Sequence, residues 1–284
     1  MSTDNVVLSV KGLTVDHFLG EGSVRAVDNV SFSIKAGQIF ALVGESGCGK
    51  TTIALAIMRL IPPGQGRIVA GKVVFEGRRL NDLSERQMRK IRGSEIAMAF
   101  QEPAGSFNPV LTIGHQIAEA IMLHTAKDAR QAWLAAIEIL ELVGMPQADR
   151  IARCYPHQLS GGMQQRAMIA MALSCRPRLL IADEPTSALD AAVQAEILGL
   201  LDRLRRQALR PDSGQAGMSI LLITHDLRVA QRYADTVAVM HGSRIVEMAE
   251  PSVLFARPVH PYTEGLLKCV AQIEGRRRNT EYRK

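Results

Sequence analysis

The amino-acid sequence predicts an α/β fold: a mostly parallel sheet with antiparallel strands ahead of it and a mainly helical stretch between its strands. Three observations carry this. Short runs alternating apolar and polar residues occupy positions 6–40, as strands with one solvated face do. Three apolar runs, IFALV (39–43), RLLIADE (178–184) and SILLITHD (219–226), each lead toward a helix-like segment, and strands alternating with helices imply parallel pairing under covering helices. Residues 111–172 space their apolar positions as a helix does.

In chain order, VVLSVKGLTV and VRAVDNVSFSI are separated by glycine-rich turns and read as antiparallel strands. IFALV is continuously apolar, as expected of a strand buried on both faces. It runs into GESGCGKTT and then IALAIMRLI, a helix-like stretch ended by Pro62 and Pro63. QAWLAAIEILELVG has apolar residues near 3.6 spacing and a terminal Gly144. RLLIADE and SILLITHD follow as buried strands. Residues 246–284 form an appendage closing on the basic tail GRRRNTEYRK.

A chain of 284 residues with 47% apolar content has ample material for a packed core. No run approaches the roughly 18–20 apolar residues that span a bilayer, so the chain is expected to be soluble or peripheral. The opening MSTDNVVLSV lacks the basic and apolar regions of a secretory signal. Cys48, Cys154, Cys175 and Cys269 are scattered without C-x-x-C spacing, which argues against a zinc site or a disulfide framework and for a reducing cytoplasm. The net charge of +6 permits an anionic partner without choosing among nucleotide, nucleic acid and lipid headgroups.

The first chemical site is Gly44-Glu45-Ser46-Gly47-Cys48-Gly49-Lys50-Thr51. It fits G-x-x-x-x-G-K-[ST] and stands between a buried strand and a helix, where a phosphate-binding P-loop must stand. Glycines let backbone amides point inward around phosphate oxygens, and the helix N-terminus adds a favourable dipole. Lys50 is placed for the β- and γ-phosphates and the Thr51 hydroxyl for Mg²⁺, with Cys48 an incidental small residue of the loop. A second site needs a carboxylate at the end of a neighbouring strand. LLIAD supplies Asp183, able to hold Mg²⁺ through water, and Glu184 follows where an attacking water would stand; capping of the next helix is the weaker alternative. His225 ends LLITHD, and beside a phosphate site it reads as a polar sensor of the γ-phosphate. These are the parts that phosphoryl transfer requires: positioning, a metal and an oriented nucleophile.

LSGGMQQR (159–166) is nearly mute alone, Ser160 being a possible helix N-cap and the glycines possible turn residues. The P-loop, Gln101 after IAMAF, LSGGM, LLIADE, SALD (187–190) and His225 occur in one order, however, and that order resembles the ATP-binding cassette (ABC) ATPases. The resemblance covers about residues 6–270. It implies a P-loop NTPase core with a mostly parallel sheet, an N-terminal antiparallel β subdomain and an inserted helical subdomain, about residues 101–175, that docks on membrane subunits. The cassette would occupy residues 1–250 and a C-terminal extension 251–284. In that family the LSGGQ-type signature faces the γ-phosphate bound by a partner cassette, so Ser160, Gly161 and Gly162 would be half of a site completed by another chain. Carried over, Gly44 to Thr52 would bind the triphosphate of ATP, and Gln101 would contact Mg²⁺ or the attacking water. Asp183 would support the metal, Glu184 act as general base, His225 serve as switch, and Ser187 to Asp190 cross between cassettes. The family stacks an aromatic on adenine upstream of the first core strand; His17 and Phe18 are the candidates, and Phe18 could equally be core.

A narrower resemblance rests on FQEPAGSFNPVLTIGHQI, LSGGMQQRAMIAMAL, TSALDAAVQAEIL and EPSVLFARPVHPYTEGLL, which look like the ATPases of oligopeptide, dipeptide and nickel importers. The His260-Pro261-Tyr262-Thr263 sequence matches a C-terminal feature of that group, and it also suits a proline-started helix turn. The resemblance implies a Mg²⁺-dependent ATPase on the cytoplasmic face of the membrane, energising uptake of short peptides or of nickel. Its partners would be a second, related cassette, two permeases and an extracytoplasmic solute-binding protein rather than nucleic acid. An export ATPase and a soluble ABC protein acting on nucleic acid or ribosomes fit less well.

Overall fold

The computed structural model describes residues 5–20, 22–186, 190–206 and 217–269. The chain begins β1 (Val6–Leu19), β2 (Gly22–Lys35), β3 (Ile39–Gly44), α1 (Lys50–Met58), β4 (Gly66–Phe75), β5 (Arg78–Arg79), α2 (Glu85–Ile91) and β6 (Ile96–Ala99). The helical stretch comprises α3 (Ile113–His124), α4 (Ala129–Leu142), α5 (Ala148–Ala152) and α6 (Gly161–Leu173). Then come β7 (Leu179–Asp183), α7 (Ala191–Arg206), β8 (Ser219–Thr224), α8 (Leu227–Tyr233), β9 (Thr236–His241), β10 (Arg244–Ala249) and α9 (Pro251–Ala256), and residues 261–269 are again helical. The strands form a four-stranded sheet, β2-β1-β4-β5, and a six-stranded sheet, β10-β9-β3-β8-β7-β6. β3 pairs in parallel with β9 and β6 with β7, while β10 is an antiparallel edge on β9. The α/β class and the parallel core are therefore as the sequence implied. Met248 and Ala249 pair with Ala238 and Val237 as part of β10.

Two compact units divide the chain. One comprises Met1–Ser9, Ser33–Gln38 and Val73–Leu221. Its strands β6 and β7 are buried along their whole length, as an apolar strand covered on both faces must be. Helix α4 starts at a capping box: the Asp128 carboxylate accepts from the Gln131 amide at 2.8 Å, and the Gln131 side chain accepts from the Asp128 amide at 3.1 Å. Two otherwise orphaned first-turn donors are thereby satisfied. The helix buries Ala132, Ala136 and Leu140, while α3 buries Ile113, Ile117 and Ile121, the three-to-four-residue spacing of one helical face. Arg166 of α6 donates to the Val143 carbonyl at 2.9 Å and also pairs with Glu196.

The other unit comprises Val10–Phe32, Ile39–Lys72 and Leu222–Lys284. All six residues of β3 are buried. Around it a cluster of Ala41, Val43, Leu227, Ala230, Val237, Val239 and Leu254 joins β3, β9, α8 and α9. Each fully buried Val or Leu there contributes about 1.5–3 kcal/mol relative to exposure. The start of β3 is fixed by Asp235, whose carboxylate accepts from the Ile39 amide at 2.7 Å. Among the described residues no helix is long and apolar enough to cross a membrane.

Candidate functional site

β3 delivers the chain to Gly44, and α1 begins at Lys50 with Gly49 as its N-cap. Gly44 and Gly49 are required by space. A Cβ on Gly44 would overlap the Met240 carbonyl of β9, and one on Gly49 would overlap the Ala26 carbonyl of β2. Gly49 also has φ +105, a region that favours glycine. Lys50 is only 5% exposed, and its ammonium donates to the Gly44 and Glu45 carbonyls, each at 2.8 Å. The Cys48 thiol lies 3.8 Å from that ammonium. Burial nevertheless pushes the thiol above its ordinary range, so it stays protonated, in keeping with an incidental loop residue.

Thr51 is exposed on the first turn of α1 and Thr52 is buried. The Thr52 hydroxyl lies 3.1 Å from His17 Nε2, and His17 Nδ1 lies 3.0 Å from the Gln65 carbonyl. A carbonyl only accepts, so Nδ1 carries a proton toward Gln65, and in the neutral ring Nε2 accepts from Thr52. His17 is thus bonded to the helix that follows the phosphate loop. Phe18 beside it is 38% exposed, with the Arg67 guanidinium 6.0 Å from its ring centroid; it is a surface ring and not a core residue. His225 is exposed at the end of β8, next to Asp226, which caps α8 by accepting from the Arg228 amide at 2.9 Å.

In the other unit, β7 ends at Asp183, which is 2% exposed. Glu184 follows with φ +46, a left-handed conformation that costs a non-glycine residue about 1–3 kcal/mol and concentrates at functional sites. The Gln101 side-chain amide donates to the Glu184 carboxylate at 3.2 Å, joining residues 83 positions apart. Ser160 is the N-cap of α6 and accepts from the Met163 amide at 3.4 Å. A Cβ on Gly161 would meet nothing within 4 Å, so this helix start presents open space. Asp190 caps α7, accepting from the Ala192 and Val193 amides at 3.0 Å each; Ser187 and the two residues after it lie outside the described residues.

The donor chemistry fits the expected groups. A glycine-walled loop at a helix N-terminus, with a buried lysine inside it, suits a phosphate chain. The Gln101 amide oxygen and the Asp183 carboxylate in one unit, and the Thr51 hydroxyl in the other, are each hard oxygen donors of the kind Mg²⁺ takes. Among the described residues no cluster of three or more His, Cys, Asp or Glu side chains could hold a metal.

Sequence reasoning did not anticipate the Gln101–Glu184 bond, the pressure of Met240 and Ala26 on the loop glycines, or the place of Tyr262. The Tyr262 ring stacks on His241 at 3.8 Å, one residue beyond Met240. The HPYT sequence had drawn attention to it, but spacing alone gave no reason to place it beside the loop.

Comparison with known proteins accords with these features. The family described as ABC transporter matches residues 27–187, and the one described as oligopeptide/dipeptide transporter, C-terminal region, matches residues 246–284. A probable peptide ABC transporter ATP-binding protein of Sinorhizobium fredii is 49% identical over 267 residues, 94% of this chain and 77% of that protein. An oligopeptide transport ATP-binding protein of Bacillus subtilis is 46% identical over 271 residues, 95% of this chain and 80% of that protein. Among solved structures, a dimeric ATP-binding cassette in a post-hydrolysis state bound to ADP and Pi superposes with a TM-score of 0.74 and 28% identity, covering 86% of this chain and 98% of its own. With its phosphate loop and strand-end carboxylate in place, and with relatives nearly half identical along almost its whole length, the chain belongs to the ABC transporter family.

Proposed function

We propose that this chain is the ATP-binding and ATP-hydrolysing subunit of an importer, energising uptake of di- or oligopeptides through separate permease subunits. One observation carries the reading: a glycine-walled phosphate loop enclosing Lys50 shares a chain with the oligopeptide/dipeptide transporter C-terminal region. The names of the relatives in Sinorhizobium and Bacillus support peptides as cargo. Residues 1–250 serve as the cassette, 101–175 as the helical subdomain facing the permeases, and 251–284 as the extension.

In this reading Gly44 to Thr52 wrap the triphosphate, and Lys50 exchanges its loop carbonyls for phosphate oxygens. Thr51, Asp183 and Gln101 hold Mg²⁺, which when bound screens phosphate charge. Glu184 takes the proton of the attacking water, and Gln101, already bonded to it at 3.2 Å, aims its carboxylate. His225 senses the γ-phosphate, and exposed Phe18 with His17 lies against adenine. Ser160, Gly161 and Gly162 contact the nucleotide of a second cassette, and Asp190 stands at the crossing between the two. The assembly sits on the cytoplasmic face of the membrane and receives cargo from a solute-binding protein. Nickel is the alternative cargo. The test is uptake into vesicles holding the chain with the cassette and permeases encoded beside it. Labelled di- and oligopeptides are expected to accumulate only with ATP and not with a Lys50→Ala chain, whereas accumulation of nickel alone would replace peptides as the cargo.

A further inference from the structure

The segment that carries Tyr262 is tied down at several points. The Glu247 carboxylate of β10 accepts from the Val259 amide at 2.8 Å and the His260 amide at 3.0 Å. Burial works to raise that carboxyl, but the hydrogen bonds it accepts, those of the two amides among them, outweigh it and hold it below its usual range. Pro261 then opens the helical run 261–269, and the Tyr262 amide donates to His260 Nδ1 at 3.2 Å. So anchored, the Tyr262 ring lies on His241 at 3.8 Å and 26° and packs against the cluster that contains Ala41 and Val43 of β3. His241 follows Met240, whose carbonyl abuts Gly44, and the stack therefore stands at the mouth of the phosphate loop.

The Tyr262 hydroxyl is buried and completes no hydrogen bond of ordinary geometry. Burial first, and then the charge of Glu45, hold its phenol above the ordinary range; the Glu45 backbone works the other way, while the Glu45 side chain and the Cys48 thiol add to the rise. The hydroxyl is therefore a protonated donor facing the second residue of the loop. The carbonyl of that same Glu45 accepts from Lys50. A phosphate chain that draws Lys50 off this carbonyl loosens the one internal tie that Glu45 has to the loop's lysine, and the phenol is the donor beside it.

We propose that Tyr262 is a positioning residue for the phosphate loop: its hydroxyl donates to the Glu45 carboxylate when the loop holds a nucleoside triphosphate, so that the C-terminal extension sets nucleotide affinity. This rests on the reading of Gly44 to Thr52 as the triphosphate site. A single hydrogen bond to a charged acceptor accounts for a change of roughly ten- to a hundred-fold. The experiment measures the Kd for ATP and the turnover at saturating ATP on the full chain, with thermal melting as a control on folding. Tyr262→Phe keeps the ring and its stack on His241; it is expected to raise Kd within that range and leave saturated turnover and melting near wild type. Glu45→Ala should show a similar loss of affinity, and the double variant no further loss. Wild-type affinity in Tyr262→Phe, or fully additive losses in the double variant, overturns the proposal while Lys50→Ala still loses ATP. If Lys50→Ala binds ATP like the wild type, the triphosphate reading falls, and the proposal with it.

Discussion

Glu184 is held in a left-handed backbone conformation at the end of a strand whose preceding residue, Asp183, is almost completely buried. Strain of this kind survives only where the surroundings over-determine it, and here the Gln101 amide grips the carboxylate. A carboxylate held by a side-chain amide gains direction, which suits a general base. Glu184→Gln removes the base and keeps size and polarity. ATP binding should persist while turnover falls by about 10²–10⁴, measured as phosphate release against retained nucleotide in the assembled transporter; turnover at the wild-type rate would remove the assignment. Asp183 and Glu184 were legible in the sequence because LLIAD is an apolar run that stops at two carboxylates. Their link to Gln101 was not, because nothing local connects residues that far apart in the chain.

Helix α6 shows how one element can satisfy two readings at once. Ser160 is a conventional N-cap, bonded to the Met163 amide, and loss of such a cap costs about 1 kcal/mol. That is small beside the burial of Met168, Ile169 and Leu173 on the same helix, so a substitution there leaves the helix formed. Ser160→Arg fills the open space before Gly161 with a cation. The isolated chain should still bind ATP, since its P-loop lies elsewhere in the sequence, but hydrolysis in the assembled transporter should be lost. Titration of a fluorescent ATP analogue and phosphate release separate the two, and abolished binding in the isolated chain would end the trans-acting role. The elements legible beforehand were those with long, unmixed patterns: IFALV, SILLIT, and the helical stretch 111–172 with its terminal Gly144 and the possible cap Ser160. β6 is only four residues long, and β10 is an edge strand of half-buried residues, RIVEMA. Neither carries a period long enough to stand out, so both needed the sheet to reveal them.

At the scale of the whole molecule, membership of the ABC transporter family and the dimeric state of a structurally similar cassette bear on how many chains make a working unit. Met163 occupies the last position of the signature, where the family places glutamine, and a thioether offers neither the donor nor the acceptor of an amide. On the trans-acting role proposed for the signature, two sites built with unequal signatures would be chemically unequal, and the proposed partner is therefore a second, related cassette rather than another copy of this chain. The sequence alone shows the substitution but no second chain, and the fold of one chain cannot supply it. The most direct measurement is the native mass of the complex purified after co-expression with the neighbouring cassette and permeases, with Glu184→Gln retaining ATP. The expected complex holds one copy of this chain, one of the second cassette, two permeases and bound nucleotide. A complex with two copies of this chain, no second cassette and full substrate-stimulated ATPase activity in its wild-type form would contradict it.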